Sequence, residues 1–142
     1  MKILYVASES TPFAASGGLA DVIGSLPAAL KKQNPQDDIR VIMPLYGTMS
    51  AEWRGKLTFL FSHTVPLSWR NQYCGVFSAV YQNVTYYFLD NEYYFKRSSL
   101  YGEFDDGERF AFFSKACLDA LDAVDYIPDV IQCNDWQTAL VP

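Results

Sequence analysis

The sequence is poor in residues that bind transition metals, with one histidine and three cysteines in 142 residues. Cys74, Cys117 and Cys133 are widely spaced and have no CxxC pair or histidine companion. They read as reduced, mostly buried thiols rather than disulfide partners or metal ligands, so no metal is expected. His63, inside a strand-like run, reads as structural rather than catalytic. Basic charge is also short: 11 Lys and Arg stand against 16 Asp and Glu, a formal net charge of −5. A nucleic-acid partner needs clustered cations, so that class is disfavoured, although backbone amides and a helix N-terminus can still hold an anionic small ligand. No apolar run is long enough to span a membrane. The N-terminus passes directly from Met1-Lys2 into a strand-like stretch, without the basic region and apolar segment of a signal peptide. A soluble, cytoplasmic protein without a membrane partner is the expectation. The dinucleotide fingerprint GxGxxG is missing as well, which counts against a nicotinamide-dependent oxidoreductase.

Apolar and aromatic residues are plentiful: half the chain is apolar and 16% is aromatic, enough for one domain with a substantial core. Ten tyrosines each place a hydroxyl beside an apolar ring, a combination that suits sugar faces, although any single ring more readily fills a core. Residues Lys2 to Ser8 form a continuous apolar run typical of a strand buried on both faces. From Leu19, apolar residues recur at helical spacing through Leu30, with Lys31-Lys32 in the last turn and Pro27 expected to kink the helix. Asp38 to Pro44 reads as a second strand, parallel to the first through a right-handed crossover. Leu57 to Val65, Tyr73 to Tyr81 and Val84 to Leu89 have no helix between them and predict an antiparallel insertion, with Gln82-Asn83 as a hairpin loop. Asp90 to Gly107 is expected to be a long aromatic loop. A second helix follows from Glu108 to Val124, capped by Asp105 or Asp106. Val130 to Cys133 is a short strand, after which Asn134 to Thr138 turns toward another helix as the sequence stops at Pro142. The fold class is α/β, a Rossmann-like sheet with an antiparallel β insertion. Residues 1–142 form one domain, with truncation before a further domain expected.

In such a sheet, ligands sit beyond the carboxyl ends of the strands, which here are Glu9 to Gly18 and Asn134 to Thr138. Ser16-Gly17-Gly18 precedes the first helix, so the backbone can come close to a ligand at a positive helix end. By itself the glycine pair fits a plain turn about equally well. Ser16-Gly17-Gly18-Leu19-Ala20-Asp21-Val22 closely resembles the signature of the bacterial glycogen (starch) synthase family. Asp90-Asn91-Glu92-Tyr93-Tyr94-Phe95, Leu100-Tyr101-Gly102, Asp106-Gly107-Glu108-Arg109-Phe110 and Asn134-Asp135-Trp136-Gln137-Thr138 resemble its later blocks, in the family's order.

The resemblance implies one half of a two-domain GT-B glycosyltransferase. Such an enzyme transfers glucose from ADP-glucose to an α-1,4-glucan with retention and without cofactor or metal. Its partners would be those two substrates and a C-terminal domain of the same chain. Ala15, Ser16, Gly17, Gly18, Asp21 and Glu9 become candidate substrate contacts by this resemblance. Tyr94, Arg97 and Tyr101 are candidates for the acceptor side, and Asn134, Asp135 and Gln137 for the catalytic block. Trp136 is expected to anchor that block in the core. The family usually has Lys where this chain has Ala15, and often histidines where it has Asn134 and Gln137, so amides replace imidazoles that can carry a proton. Those departures keep open a second reading, a non-catalytic glucan-binding or regulatory paralogue.

Overall fold

The first apolar run becomes β1 (Lys2–Val6), buried from Leu4 onward, and the computed structural model describes the chain from Met1 through Pro142. Pairing on both sides explains the run: β1 lies between β2 (Asp38–Pro44) and β6 (Val130–Cys133), parallel to each. Between β1 and β2 the chain crosses over as α1 (Gly18–Gln33). The kink expected at Pro27 does not interrupt this helix, which runs through the proline as one element. Proline lacks the N–H that would reach the Ile23 carbonyl. The Tyr86 hydroxyl donates to that oxygen instead, at 3.3 Å.

A short helix, α2 (Ala51–Arg54), follows β2, and the helix-free runs then form β3 (Thr58–Leu67), β4 (Arg70–Tyr81), antiparallel to β3, and β5 (Val84–Asp90), antiparallel to β4. This antiparallel insertion is continuous with the parallel part of the sheet. β5 pairs in parallel with β2, and all strands join one sheet in the order β3-β4-β5-β2-β1-β6. Val84 and residues 86–89 of β5 are buried because the strand sits inside the sheet. Gln82 and Asn83 form the expected two-residue turn, with φ of 49° and 64° at the positions where such a hairpin requires positive values. A second tight turn, Ser68-Trp69, joins β3 to β4, since Leu67 pairs with Arg70. Pro66 concealed it, because proline argues against a strand except at an edge, and β3 is the edge.

The expected long loop contains a short helix, α3 (Glu92–Phe95), capped by the Asn91 side chain, which accepts from the Tyr94 amide at 3.0 Å. Then α4 (Asp106–Ala123) crosses back to β6, two residues longer at its start than its apolar spacing suggested. Asp105 occupies the cap position without capping, because its carboxylate is turned to Arg97. The two crossovers travel in opposite directions across the sheet. Right-handedness therefore puts α1 and α4 on opposite faces. Between β1 and β6 the strand order reverses, and the loops after both strands open outward at that reversal.

Candidate functional site

Glu9 lies just beyond β1 and is 4% exposed. A buried carboxylate is costly unless donors surround it. Here the amides of Ser16 and Gly17 donate at 2.6 and 3.2 Å, and the hydroxyls of Ser16 and Tyr101 donate at 3.0 Å each. Because the one proton of Tyr101 goes to Glu9, the contact of 2.6 Å between Ser8 Oγ and Tyr101 Oη has Ser8 as donor. Burial first, and then the nearby Glu9 charge, raise the Tyr101 pKa and keep the hydroxyl a donor. The Tyr46 hydroxyl adds a 2.6 Å bond to the Ser8 carbonyl. One carboxylate thus ties the end of β1, the glycine loop and the aromatic loop together.

This arrangement commits the Gly17 amide, one of the groups a ligand was expected to use. The start of α1 stays uncapped by any side chain. A Cβ at Gly17 or Gly18 would meet no protein atom within 4 Å, and Gly17 at φ −166° has extended backbone open to any residue. Glycine here is thus required neither by backbone conformation nor by internal packing. The space it leaves faces outward, next to the positive end of a helix. Asp21 is exposed in the first turn, where its charge suits the helix dipole. Exposed Ala15 and Ser16 line an open cavity of ≈480 Å³ together with Phe13, Thr48, Ser50 and Ser99. No charged side chain borders it.

The aromatic loop faces inward more than its sequence suggested. Tyr94 is fully buried, its hydroxyl donating to Glu108 at 2.6 Å and its ring 5.0 Å from Phe112. Arg97 forks onto Asp105 at 3.0 and 3.1 Å and donates to the Tyr93 carbonyl, which folds the loop on itself. Of the three loop candidates, only Tyr101 reaches the glycine loop. Beneath it lies Arg109, fully buried, which donates to the carbonyls of Tyr94 and Leu100 and to Asp106 at 2.7, 3.1 and 2.7 Å. The sequence signal for Arg109 was its place among Phe113, Ala116 and Ala120 on the apolar stripe of α4. An arginine at such a position needs partners.

In the last block, the Asn134 side chain donates to the carbonyls of Val6 and Gln132 at 3.0 and 3.1 Å, joining β1 to β6 where their order reverses. Asp135, at φ 65°, accepts from the Trp136 amide at 2.8 Å and starts a 3-10 turn over Trp136–Thr138. Trp136 is not a core anchor but 51% exposed, edge-on to Phe110 and Tyr101. Gln137 is buried against α4, in a cavity of ≈130 Å³ shared with Ser114, away from the cavity at Ala15. Neither Ser114 Oγ nor Gln137 Oε1 has a partner. The structure therefore gathers Glu9, Ser16, Gly17 and Tyr101, with Ala15 and Gly18 alongside, and sets Tyr94, Arg97 and Gln137 apart.

Residues 2–142 match the family described as the starch synthase catalytic domain. The glycogen synthase of Halalkalibacterium halodurans is 56% identical across the whole chain, which corresponds to 29% of that protein. That of Clostridium kluyveri is 52% identical, again across the whole chain and 30% of the relative. Among solved structures, the catalytic domain of starch synthase IV from Arabidopsis thaliana, bound to ADP and acarbose, superposes with a TM-score of 0.87 at 29% identity. The superposition covers 98% of this chain and 29% of that one. The chain thus spans about 30% of the length of the relatives it matches. With the family match over residues 2–142, the whole-chain identity and the superposition in agreement, the chain belongs to the starch synthase catalytic domain family.

Proposed function

We propose that the chain is the N-terminal part of a retaining glucosyltransferase that extends α-1,4-glucan with glucose from ADP-glucose. The observation that carries this reading is the uncapped start of α1 beside a hydroxyl-lined cleft, held in place by Glu9. The relatives' name and the ADP and acarbose of the plant starch synthase support it. In the reaction, the bond from the glucose anomeric carbon to the diphosphate breaks and one to the glucan acceptor oxygen forms. The acceptor proton leaves with the diphosphate. Negative charge grows on the departing diphosphate, so donors fixed in advance lower the barrier without reorganising. Glu9 supplies that rigidity by fixing the loop before α1, and the helix end supplies partial positive charge. With no cation bordering the cavity at Ala15, the positive side chains this chemistry needs would come from the C-terminal domain of the longer protein. The free thiols of Cys74, Cys117 and Cys133 suit a reducing, cytoplasmic setting, and no helix is long and apolar enough to cross a membrane.

The same cation-free wall favours the second reading, a glucan-binding paralogue without transfer. Incubating the full-length protein with ADP-glucose and a maltooligosaccharide separates the two. Chain growth is the expected result; binding of the oligosaccharide without growth would establish the paralogue. Ala15→Lys in the same assay is expected to raise the rate, because it restores a cation at the cleft wall.

A further inference from the structure

At the end of α1 far from the glycine loop lies a cavity of ≈590 Å³, larger than the ≈480 Å³ cavity at Ala15. Topology puts the two at opposite edges of the sheet. β2 and β5 are parallel and begin at Asp38 and Val84, so the last turn of α1 and the Gln82-Asn83 turn meet at the amino edge. The 16 residues of α1, about 24 Å, separate this cavity from the glycine loop. Ala28, Ala29 and Pro35 give it a lining of small apolar groups. Lys31 and Lys32 border it and no carboxylate does, although acids outnumber bases in the chain. Neither lysine belongs to any of the chain's ion pairs. Lys31 gives two of its three donors to the carbonyls of Pro35 and Asp37, which pins the turn into β2 and leaves one donor over. Lys32 is exposed, with its ammonium bonded to no protein atom. Asn83, at φ 64° in the tight turn, likewise has an amide side chain without a protein partner. Pro35 has no N–H for the Lys31 carbonyl four residues before it, so α1 ends with that oxygen unclaimed.

We propose that this cavity binds a nucleoside monophosphate, at a site separate from the reaction cleft. Its volume lies within the range of about 300–1,000 Å³ typical of small-molecule pockets. Small apolar side chains let a flat base approach closely, and burying the base supplies the non-directional part of the affinity. The two lysines match the charge of a phosphate monoester, which is close to −2 at neutral pH. A bare anion fits less well, because the carboxyl end of a helix carries partial negative charge that opposes it. Next to that end, the Lys31 carbonyl and the Asn83 amide suit the ribose hydroxyls, which both donate and accept. A polyanion is disfavoured as well, since only two unpaired cations stand here on a chain of net charge −5. At about 24 Å from the glycine loop, the ligand takes no part in bond making.

Calorimetric titration of the full-length protein with AMP tests the site. The readout is the difference in the number of AMP molecules bound between variants, which holds whether or not the cleft takes a nucleotide of its own. Wild type is expected to bind one more AMP per chain than Ala29→Trp, whose indole fills the cavity from an exposed helix position. Lys32→Glu should lose the same equivalent, and Lys32→Arg, which keeps the charge, should retain it. Both positions are exposed, so unfolding temperatures should stay within about 2 °C of wild type. Adenosine, which lacks the phosphate, should show no extra equivalent in wild type over Ala29→Trp. Equal AMP counts in wild type, Ala29→Trp and Lys32→Glu overturn the proposal. An extra equivalent of adenosine overturns it too, because the lysines then have no part. So does displacement of the extra AMP by an equal concentration of inorganic phosphate, because the base then has none.

Discussion

Glu9 carries a buried charge whose partners are two amides and two hydroxyls, so it fixes the backbone of the glycine loop. Replacing it leaves those donors short of an acceptor. Glu9→Ala is expected to lower stability by about 1–3 kcal/mol, measured by denaturant unfolding. Arg109 is the other residue on which the site depends. Arg109→Met strands Asp106 and the carbonyls of Tyr94 and Leu100, and breaking a buried pair this way costs about 3–5 kcal/mol in the same measurement. The two differed in legibility. Glu9 stood out in the sequence as an acid right after an apolar strand, but its inward role depended on Ser16 and Tyr101, which only the fold brings near it. Tyr94 and Gln137 look like ligand contacts in the linear motif, yet both turn inward against α4. Family motifs mark positions; they do not say which way a side chain points.

At the scale of elements, the site depends on α1 packing closely beneath the loop after β1. Gly24 makes that approach. A Cβ there would collide with Thr11 Oγ1 and lie 2.9 Å from the Thr11 carbonyl. Gly24→Ala is therefore expected to cost about 1–3 kcal/mol by overpacking and to displace the Thr11 wall of the cleft, detectable as a lowered unfolding midpoint together with reduced transfer. The elements themselves were readable where one signal dominated: β1 and β2 from apolar runs, α1 from its periodicity, the β4–β5 turn from Gln82-Asn83. The β3–β4 hairpin was shorter in the sequence reading because Pro66 and the polar residues 70–72 blur alternation. What no local pattern held was that β5 returns to pair with β2, since pairing between distant strands is decided by the whole sheet.

For the whole molecule, burial leaves a titration signature. It pushes the Cys74 thiol up to about 12 and raises Cys117, Tyr86 and Tyr126 as well. The folded chain holds these protons at pH values where the unfolded chain has released them. Their contribution is therefore complete below about pH 8.5 and is lost as pH rises toward 12, at up to ~1.4 kcal/mol per pH unit for each group. Asp38 and Asp105 act at the other end: hydrogen bonds from Arg40 and Arg97 lower their pKa values, so their contribution is present above about pH 4 and disappears below it. Unfolding midpoints measured from pH 3 to 11 should fall at both ends, more steeply at the alkaline one. A flat alkaline limb would contradict the burial of these groups.

We propose that the open space outside Gly17 and Gly18 belongs to a ligand. Gly18→Val in the full-length protein puts a side chain where no protein atom lies within 4 Å of its Cβ, so folding has little reason to change. Glucose transfer from ADP-glucose, measured beside thermal unfolding, is predicted to fall about 100-fold or more in kcat/KM while the unfolding temperature stays within about 2 °C of wild type. Transfer at the wild-type rate would mean that no ligand occupies this space.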